Sequence, residues 1–539
     1  MIIEKNTMIP MRDKVLLATD IYKPDGEGSW PVLIARTPYN KDGHVERDGV
    51  ADFVKAGYVV AFQDVRGRFA SEGDFYPYIY ETNDALDTYE WLLKQSWCDG
   101  RLGTFGGSYL GGTQTIPARE GHPAVKAMIP EITFDYQFGN CSYQGRAKVM
   151  HDLVWTVGSI IPEMARRAGV GVELPTPMEA LLELPIASHP SIKQWGTYYH
   201  DWLTHSTECE YWDKVSPHTG YDGMTMPALN ISGWYDIFVP STLNNYMEMK
   251  KRNKDTRLIM GPWTHMNFSG HFPEISFGEQ GSAEAINLIQ IKIDWFDRHI
   301  KGLNKPSDSP VKIFVMGVNQ WRDEENWPLP NTKYHSYYLQ KNGLLSTEKT
   351  NANTFDSYVY DPMNPVPTTG GQVILPGENS SGPRNQQGLE KRDDVLIYTT
   401  DILDEAIEVT GSIVLNLFAS SDCLDTDFTG KLIDVYPDGR AMLLTDGILR
   451  AKFRESFKEP KPLTPEEVYE FSIDLGGTAN VFLPGHRIRL DISSSNFPKY
   501  NRNSNTGGDI ARENAEEYRS ASNKVYHNSE LILPIIYPR

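Results

Sequence analysis

The hydrophobic periodicity of the chain changes near residue 310, and this change limits the folds that the chain can adopt. Before residue 310, short apolar runs alternate with amphipathic segments, as at 31–35 and 58–62. The run at 31–35 is the expected first strand of the sheet. That alternation is typical of strands and crossover helices in a mainly parallel sheet. After residue 310, apolar residues recur at every second position in short runs separated by Gly, Pro, Asn and Asp. The sequence therefore predicts an α/β domain, a linker at 301–310 and an antiparallel β-sandwich or jelly roll.

The alternation of strands and helices is interrupted between about residues 135 and 220, where the sequence is irregular, helical in pattern and rich in aromatic residues. An insertion in an α/β domain commonly lies as a cap over the ligand-binding edge of the sheet. Four segments are therefore expected: the first part of the α/β domain (1–134), a helical cap (135–220), the second part of the α/β domain (221–310) and a C-terminal jelly roll (311–539).

The composition excludes several classes of partner. The chain has 71 acidic and 52 basic side chains, a formal charge of −19, which repels the phosphate backbone of nucleic acids. No apolar stretch approaches the length that spans a membrane and no signal-peptide pattern is present, so a cytoplasmic protein without membrane partners is expected. The four cysteines are scattered and form no C-x-x-C pair, so neither a disulfide framework nor a zinc site is predicted.

A candidate nucleophile lies in the segment from Gly106 to Gly111, where Ser108 stands between a short predicted strand and a predicted helix. Small residues around a serine at such a turn permit the cramped backbone of a nucleophile elbow. The helix that follows directs its N-terminal N–H groups toward the same place. The alternative is an ordinary Gly-rich turn in which Ser108 caps the helix.

A nucleophilic serine needs a base and an acid that orients the base. Asp236 and His265 each follow an apolar strand by about five residues, at the carboxyl edge where open α/β sheets bind ligands. The chain order Ser108, Asp236, His265 is the order of the α/β-hydrolases. The alternatives are that Asp236 is a solvated loop acid or a helix cap, and that His265 is bound by a backbone carbonyl.

Ester hydrolysis also requires hydrogen-bond donors for the negative charge that develops on the carbonyl oxygen. One donor is expected to be the backbone N–H of Tyr109, the residue after the nucleophile. The loop from Arg36 to Lys41 lacks the Gly-rich donor sequence of lipases, so the hydroxyl of Tyr39 is the second candidate. The alternative is that Tyr39 is a packed loop aromatic.

Six motifs in register resemble those of the CocE/NonD hydrolases of the X-prolyl dipeptidyl-peptidase superfamily. They are Arg36-Thr-Pro-Tyr39, Gln63-Asp-Val-Arg-Gly-Arg-Phe-Ala-Ser-Glu-Gly73, Trp97-Cys-Asp-Gly100, Gly106-Gly-Ser-Tyr-Leu-Gly111, Gly233-Trp-Tyr-Asp236 and Gly261-Pro-Trp-Thr-His265. The resemblance continues through 481–486 and 493–508, and so covers essentially the whole chain. It implies an α/β-hydrolase fold with an inserted helical cap, followed by an all-β jelly-roll domain, with all three lining the active site.

The resemblance also supports Ser108 as nucleophile, His265 as general base, Asp236 as orienting acid, and Tyr39 with Tyr109 as the oxyanion hole. No metal or cofactor is expected in this mechanism.

An acyl pocket is implied by the same resemblance. Phe238, two residues after the triad acid, and Leu417 with Phe418 from the jelly roll are expected to form its walls. The family places two tryptophans in the cap, where this sequence offers Trp155 and the nearby Tyr143.

The expected function is that of a serine carboxylesterase that acts on small-molecule esters with apolar or aromatic acyl groups. An acylase or amidase of the same superfamily, of the β-lactam side-chain or dipeptidyl-peptidase type, is an alternative, and a non-catalytic sugar-binding protein is another. Relatives that bind a substrate ammonium carry carboxylates just after the triad acid, where this chain has Ile237, Phe238 and Val239. A homodimer is left open.

Overall fold

The structure is a computed structural model that describes residues 1–44, 48–171, 174–188, 190–305, 309–349, 354–375 and 381–537. Residues 306–308 of the predicted linker lie outside these ranges. None of the helices in the described ranges is long and apolar enough to cross a membrane. The cytoplasmic location stays a prediction from the sequence.

The first part of the α/β domain contributes six strands and three helices. The strands are β1 (Ile2–Pro10), β2 (Leu16–Lys23), β3 (Trp30–Thr37), β4 (Val59–Asp64), β5 (Cys98–Gly107) and β6 (Val125–Glu131). The helices are α1 (Val50–Lys55), α2 (Glu81–Leu93) and α3 (Tyr109–Ala118).

Every residue of β4 is buried, which explains its continuous apolar run, because helices cover both faces of a parallel sheet. The sequence prediction missed β1 and β2; β1 is a mostly exposed edge strand and therefore has little apolar pattern.

Within its described residues, the predicted cap segment 135–220 contains a small hairpin and six short α-helices. They are β7 (Tyr143–Gln144), β8 (Ala147–Lys148), α4 (His151–Trp155), α5 (Ile161–Arg167), α6 (Pro177–Leu182), α7 (Pro190–Trp195), α8 (Thr197–Thr204) and α9 (Glu210–Lys214). Helices this short are not stable alone in water. The cap is therefore held together by its buried aromatic side chains, which include Tyr198, Trp202 and Trp212.

The α/β domain resumes after the cap and completes a ten-stranded sheet. Its further elements are β9 (Leu229–Tyr235), α10 (Val239–Arg252), β10 (Arg257–Thr264), α11 (Leu288–His299), β11 (Val311–Val315) and β12 (Gln320–Glu324). The strand order is β1-β2-β4-β3-β5-β6-β9-β10-β11-β12. Within this order, the strands from β4 to β11 are parallel to one another. The carboxyl ends of β5, β9 and β10 therefore lie at one edge, and Ser108, Asp236 and His265 directly follow them.

The first strand after the predicted linker belongs to the sheet of the α/β domain rather than to the sheet of the β domain. The run at 311–316 was expected to begin the jelly roll, but β11 pairs in parallel with β10, with Val311 opposite Leu258. Strand β12 then returns antiparallel to β11, so the first sheet extends to Glu324. The apolar pattern of β11 could not reveal this, because its buried side chains pack into the same core as the β domain and would suit a strand of either sheet.

The β domain consists of eleven strands in one predominantly antiparallel assembly. They are β13 (Thr332–Gln340), β14 (Leu344–Ser346), β15 (Phe355–Tyr360), β16 (Leu396–Thr399), β17 (Ile407–Ser421), β18 (Asp427–Val435), β19 (Ala441–Arg450), β20 (Tyr469–Phe482), β21 (Arg487–Ser493), β22 (Ala521–Tyr526) and β23 (Glu530–Ile536). The order is β15-β22-β17-β23-β13-β14-β16-β21-β18-β19, with β20 paired to β17. The predicted fold class, an α/β-hydrolase domain followed by an all-β domain, is confirmed.

The cap and the β domain are joined backbone to backbone at the β7–β8 hairpin. The N–H of Arg450 donates to the carbonyl of Gly145 at 2.8 Å. Gly145 has a φ of 52°, and a Cβ atom there would lie 1.7 Å from the carbonyl oxygen of Ile448. Only glycine fits this turn, so the hairpin tip is held at a fixed position on β19.

Candidate active site

Ser108 occupies a strained turn between β5 and α3. Its φ of 61° and ψ of −124° are a conformation that costs about 1–3 kcal/mol for a residue with a side chain. The turn is held by hydrogen bonds, because the N–H of Ser108 donates to the carbonyl of Glu131 at 3.0 Å and Thr133 Oγ1 donates to the carbonyl of Ser108 at 2.8 Å. The result is the nucleophile-elbow geometry expected from the sequence, with the hydroxyl directed away from the sheet.

Ser108, His265 and Asp236 form a continuous chain of hydrogen bonds. His265 Nε2 lies 3.0 Å from Ser108 Oγ, and His265 Nδ1 lies 2.7 Å from Asp236 Oδ2. Asp236 is fully buried, and its other oxygen accepts from the N–H of Phe238 at 2.6 Å. A carboxylate can only accept, so Nδ1 carries the proton and the lone pair of Nε2 faces the serine. This is the arrangement in which an imidazole can remove the serine proton.

Tyr109 begins helix α3, so its backbone N–H lies among the unsatisfied donors at the helix N-terminus. Its side chain anchors this position, because the hydroxyl donates to Glu81 Oε1 at 2.8 Å. The other oxygen of Glu81 accepts from Arg36 Nη1 at 2.7 Å. The peptide after the nucleophile is therefore fixed by a buried polar network, as an oxyanion donor must be.

Tyr39 lies close to Tyr109, and the centres of the two rings are 6.4 Å apart. Trp155 Nε1 in the cap donates to the hydroxyl oxygen of Tyr39 at 3.0 Å. Because an indole N–H can only donate, the proton of the Tyr39 hydroxyl points away from Trp155. The Tyr39 hydroxyl is thus held by a hydrogen bond from the cap, in addition to the packing contacts of its ring.

Arg68 positions the Tyr39 loop, a role that the sequence analysis missed. It is fully buried and donates to the carbonyls of Pro38, Ser159 and Ile160 at 2.8–3.0 Å. One guanidinium thereby joins the residue before Tyr39 to the cap. No local signal distinguishes it in the sequence, because Arg66 stands two residues before it in the same stretch.

Two of the expected acyl-pocket residues adjoin the triad. The ring of Phe238 lies 5.6 Å from that of His265, and the ring of Trp155 stacks at 6.1 Å on that of Tyr109. Tyr143 lies instead in the interior of the cap, where its hydroxyl donates to the carbonyl of Trp202 at 2.9 Å.

The expected contribution of Leu417 and Phe418 to the pocket is wrong. Both belong to β17, a central strand of the β domain, and Leu417 is fully buried in the core of that domain. The side chain of Phe418, the next residue, lies on the opposite face of the strand. Its backbone N–H donates to Ser529 Oγ at 2.8 Å. An apolar run of period 2 predicts a strand, but it does not show which loop of the domain reaches the site.

The β domain contributes other side chains to the apolar cluster that contains Tyr109 and Phe238. Ile374 and Leu375, in an irregular segment before β16, and Ile448 on β19 pack into the same apolar cluster as Tyr109 and Phe238. The sequence analysis missed all three, because nothing in the sequence shows which turns of a β-sandwich face a neighbouring domain.

A cavity of about 550 Å³ opens beside His265. Its walls include Gly107, Ile132 and Met266, together with the ion pair between Glu131 and Lys292, whose charged atoms are 2.6 Å apart. The imidazole of His265 borders this cavity, whereas Ser108, Tyr39 and Phe238 are not part of its lining.

Cys141, His151 and Asp152 are the one group of possible metal ligands found close together in the described residues. The group is poorly suited to a cation because Lys148 Nζ already donates to Asp152. Burial raises the pKa of the Cys141 thiol well above its ordinary value and lowers the pKa of His151 to about 4. The thiol therefore stays protonated and is a weak ligand at neutral pH.

Comparison with known proteins agrees with this architecture. Residues 13–267 match the X-Pro dipeptidyl-peptidase (S15) family, and residues 304–530 match the X-Pro dipeptidyl-peptidase C-terminal non-catalytic domain. The chain is 40% identical to the cocaine esterase of Rhodococcus sp. (strain MB1 Bresler), covering 99% of this chain and 98% of that protein.

Solved structures show the same fold over the whole length. An α-amino acid ester hydrolase matches with a TM-score of 0.84 and 27% identity, covering 99% of this chain and 96% of that chain. A CocE/NonD family hydrolase from Staphylococcus aureus matches in fold with a TM-score of 0.73 and 19% identity, covering 99% and 93%. The chain therefore belongs to the X-Pro dipeptidyl-peptidase (S15) family, as a serine hydrolase of the CocE/NonD type.

Proposed function

We propose that the protein is a serine carboxylesterase that hydrolyses small esters through an acyl-enzyme on Ser108. The observation that carries this proposal is the continuous hydrogen-bond chain from Ser108 through His265 to the fully buried Asp236. The similarity to cocaine esterase over nearly the whole chain supports an ester as the substrate.

In the proposed mechanism, His265 Nε2 removes the proton of Ser108 as Oγ attacks the ester carbonyl. The resulting oxyanion accepts hydrogen bonds from the N–H of Tyr109 and the hydroxyl of Tyr39. The buried carboxylate of Asp236 stabilises the imidazolium that has formed. His265 then gives its proton to the alcohol oxygen as the C–O bond breaks, and water repeats the cycle on the acyl-enzyme.

The surroundings of the triad favour an uncharged acyl group. Trp155 and Phe238 offer aromatic surface, and Ile237 to Val239, directly after the triad acid, are buried and apolar. An ammonium group bound there would lose its hydration without gaining a carboxylate, which costs several kcal/mol.

A panel of acetyl, benzoyl and aminoacyl esters of one alcohol, measured beside the matching amides, tests the proposal. We expect kcat/KM for the benzoyl ester to exceed that for the aminoacyl ester by at least about 100-fold, because of the unpaired ammonium. We expect the amides to react more slowly than their esters. Equal rates for aminoacyl and benzoyl esters would contradict the acyl selectivity, and faster amide cleavage would favour an acylase.

Replacing Tyr39 with phenylalanine is expected to lower kcat by about 10²- to 10³-fold with little change in KM, the usual effect of losing one oxyanion donor. Steady-state kinetics on the benzoyl ester measures this. Tyr198→Phe is the matched control, since that buried cap hydroxyl donates to Thr156 Oγ1 at 3.1 Å and is not part of the oxyanion hole. An unchanged kcat in Tyr39→Phe would remove the hydroxyl from the mechanism.

A further inference from the structure

A second cavity, of about 320 Å³, lies between the cap and the β domain. The β7–β8 hairpin forms one wall, and the end of β19 and the segment 507–511 form others. Four cationic side chains line it, namely Arg146, Lys148, Arg450 and Lys452. This concentration of positive side chains is unusual in a chain whose formal charge is −19.

Three of these cations are already neutralised by buried carboxylates. Lys148 pairs with Asp152, Arg450 with Asp427 and Lys452 with Asp425. Asp509, the carboxylate that lines the cavity itself, pairs with Arg512 at 3.2 Å. Arg146 is the one of the four that has no carboxylate oxygen within 4.0 Å among the described residues. Glu208, which lines a neighbouring cavity together with Arg146, acts on its charge from farther away.

Arg146 is only 5% exposed, yet its guanidinium makes no hydrogen bond within the described part of the chain, and no carboxylate oxygen there lies within 4.0 Å of it. Its Cζ lies 4.5 Å from the ring centre of Phe138 and 3.8 Å from that of Phe457, so the two rings fix its orientation. Burial lowers the pKa of Arg146 to about 10, which leaves it protonated at neutral pH. Nε of Arg146 is buried without an acceptor in the described residues, which is unfavourable for a charged group.

The backbone at Arg146 is also unfavourable for an arginine. Gly145 and Arg146 form the two-residue turn of the hairpin, with φ values of 52° and 66°. Turns with positive φ at both positions favour Asn and Gly. An arginine here therefore costs conformational energy as well as burial of an unpaired charge, which points to a role at the cavity.

We propose that this cavity binds a small organic carboxylate, whose two oxygens accept from Arg146. The planar fork of a guanidinium matches a carboxylate in a two-point hydrogen bond. Leu203, Phe453 and Ile510 give the cavity an apolar side that suits a hydrocarbon or aromatic body. Inorganic phosphate satisfies the charge but not this apolar wall, so an organic carboxylate fits better.

The location of the cavity gives such a ligand a structural effect. It touches the cap through the β7–β8 hairpin and the β domain through β19, so a bound carboxylate links the two. A ligand that binds the folded protein alone stabilises it by mass action. Binding should therefore raise the unfolding temperature of the full chain as the carboxylate concentration rises.

Isothermal titration calorimetry on the intact protein tests the proposal with benzoate, with benzamide as the neutral analogue of similar shape, and with inorganic phosphate. We expect benzoate to bind more tightly than the other two. Arg146→Gln should weaken benzoate binding about 10- to 100-fold, the effect of losing charge-assisted hydrogen bonds. Arg502→Gln is the matched control, since Arg502 is also buried against aromatic rings but does not line this cavity, and it should bind benzoate like the wild type.

Crystals of the wild type soaked with 4-bromobenzoate locate the ligand even if Arg146→Gln does not fold. Anomalous bromine density beside Arg146 supports the proposal, whereas density only beside Ser108, or nowhere, overturns it. Benzamide that binds as tightly as benzoate also overturns the proposal. Phosphate that binds as tightly as benzoate overturns the claim that the ligand is an organic carboxylate. Neither measurement depends on turnover, so a negative result leaves the proposed esterase activity unaffected.

Discussion

Replacing Ser108 with alanine is expected to lower kcat for an activated benzoate ester by about 10⁶-fold, the loss seen when a triad nucleophile is removed. The reason is that no other hydroxyl takes its place at the elbow, where Ser108 Oγ lies 3.0 Å from His265 Nε2. Residual hydrolysis should reflect the oxyanion hole and substrate binding alone. Stopped-flow and steady-state kinetics measure the change.

The covalent intermediate provides an independent measurement. Brief exposure to the activated ester, followed by mass spectrometry of the digested protein, should show an acyl increment on the peptide that contains Ser108, and none in Ser108→Ala. Ser241→Ala is a suitable control, because Ser241 is buried and its hydroxyl makes no hydrogen bond within the described residues. A folded wild type without any increment would favour a binding protein over an esterase.

Replacing Asp236 with asparagine is expected to lower kcat at neutral pH by about 10⁴-fold. The carboxylate holds the proton of His265 on Nδ1 at 2.7 Å, while its second oxygen accepts from the N–H of Phe238 at 2.6 Å. An amide can donate to Nδ1, which moves the imidazole proton to Nε2, the atom that must accept the serine proton. It also removes the negative charge that stabilises the imidazolium.

Kinetics at neutral pH measure this loss, and urea unfolding checks that the variant is folded. Asp135→Asn is the control, since Asp135 is a buried acid that bonds to Asn140 and Asn244 rather than to a histidine. Activity of Asp236→Asn within about tenfold of the wild type would exclude Asp236 as the orienting acid, because a tautomer change of this kind has a far larger effect.

The placement of the three triad residues was predictable because parallel strands that are linked by crossover helices all end at one edge. Each candidate follows a buried apolar strand, and β5, β9 and β10 lie close together in the sheet. That topology and the strained turn at Ser108 together bring Ser108 Oγ to 3.0 Å from His265 Nε2 and Asp236 Oδ2 to 2.7 Å from His265 Nδ1. Tyr39 was predictable in the same way, from the strand end of β3 that precedes it.

The parts that the sequence analysis missed or placed wrongly depend on contacts between distant segments. Strand β11 joins the first sheet although its apolar pattern suits either sheet. The β-domain side chains that join the apolar cluster of Tyr109 and Phe238 are Ile374, Leu375 and Ile448, whereas Leu417 packs in the core of the β domain. Periodicity reports whether a side chain is buried, but it carries no information on which neighbour buries it.

From the sequence by itself, the change of hydrophobic period determined the two domain classes, and the polar residues after apolar strands determined the chemistry at the sheet edge. Both are local properties, since they depend on spacing along the chain. Only the tertiary structure decided how the cap meets the α/β domain and the β domain. The first contact supplies the indole that binds Tyr39 and the guanidinium of Arg68 beneath its loop, and the second holds the charge of Arg146 at a cavity wall, because each depends on groups far apart in sequence.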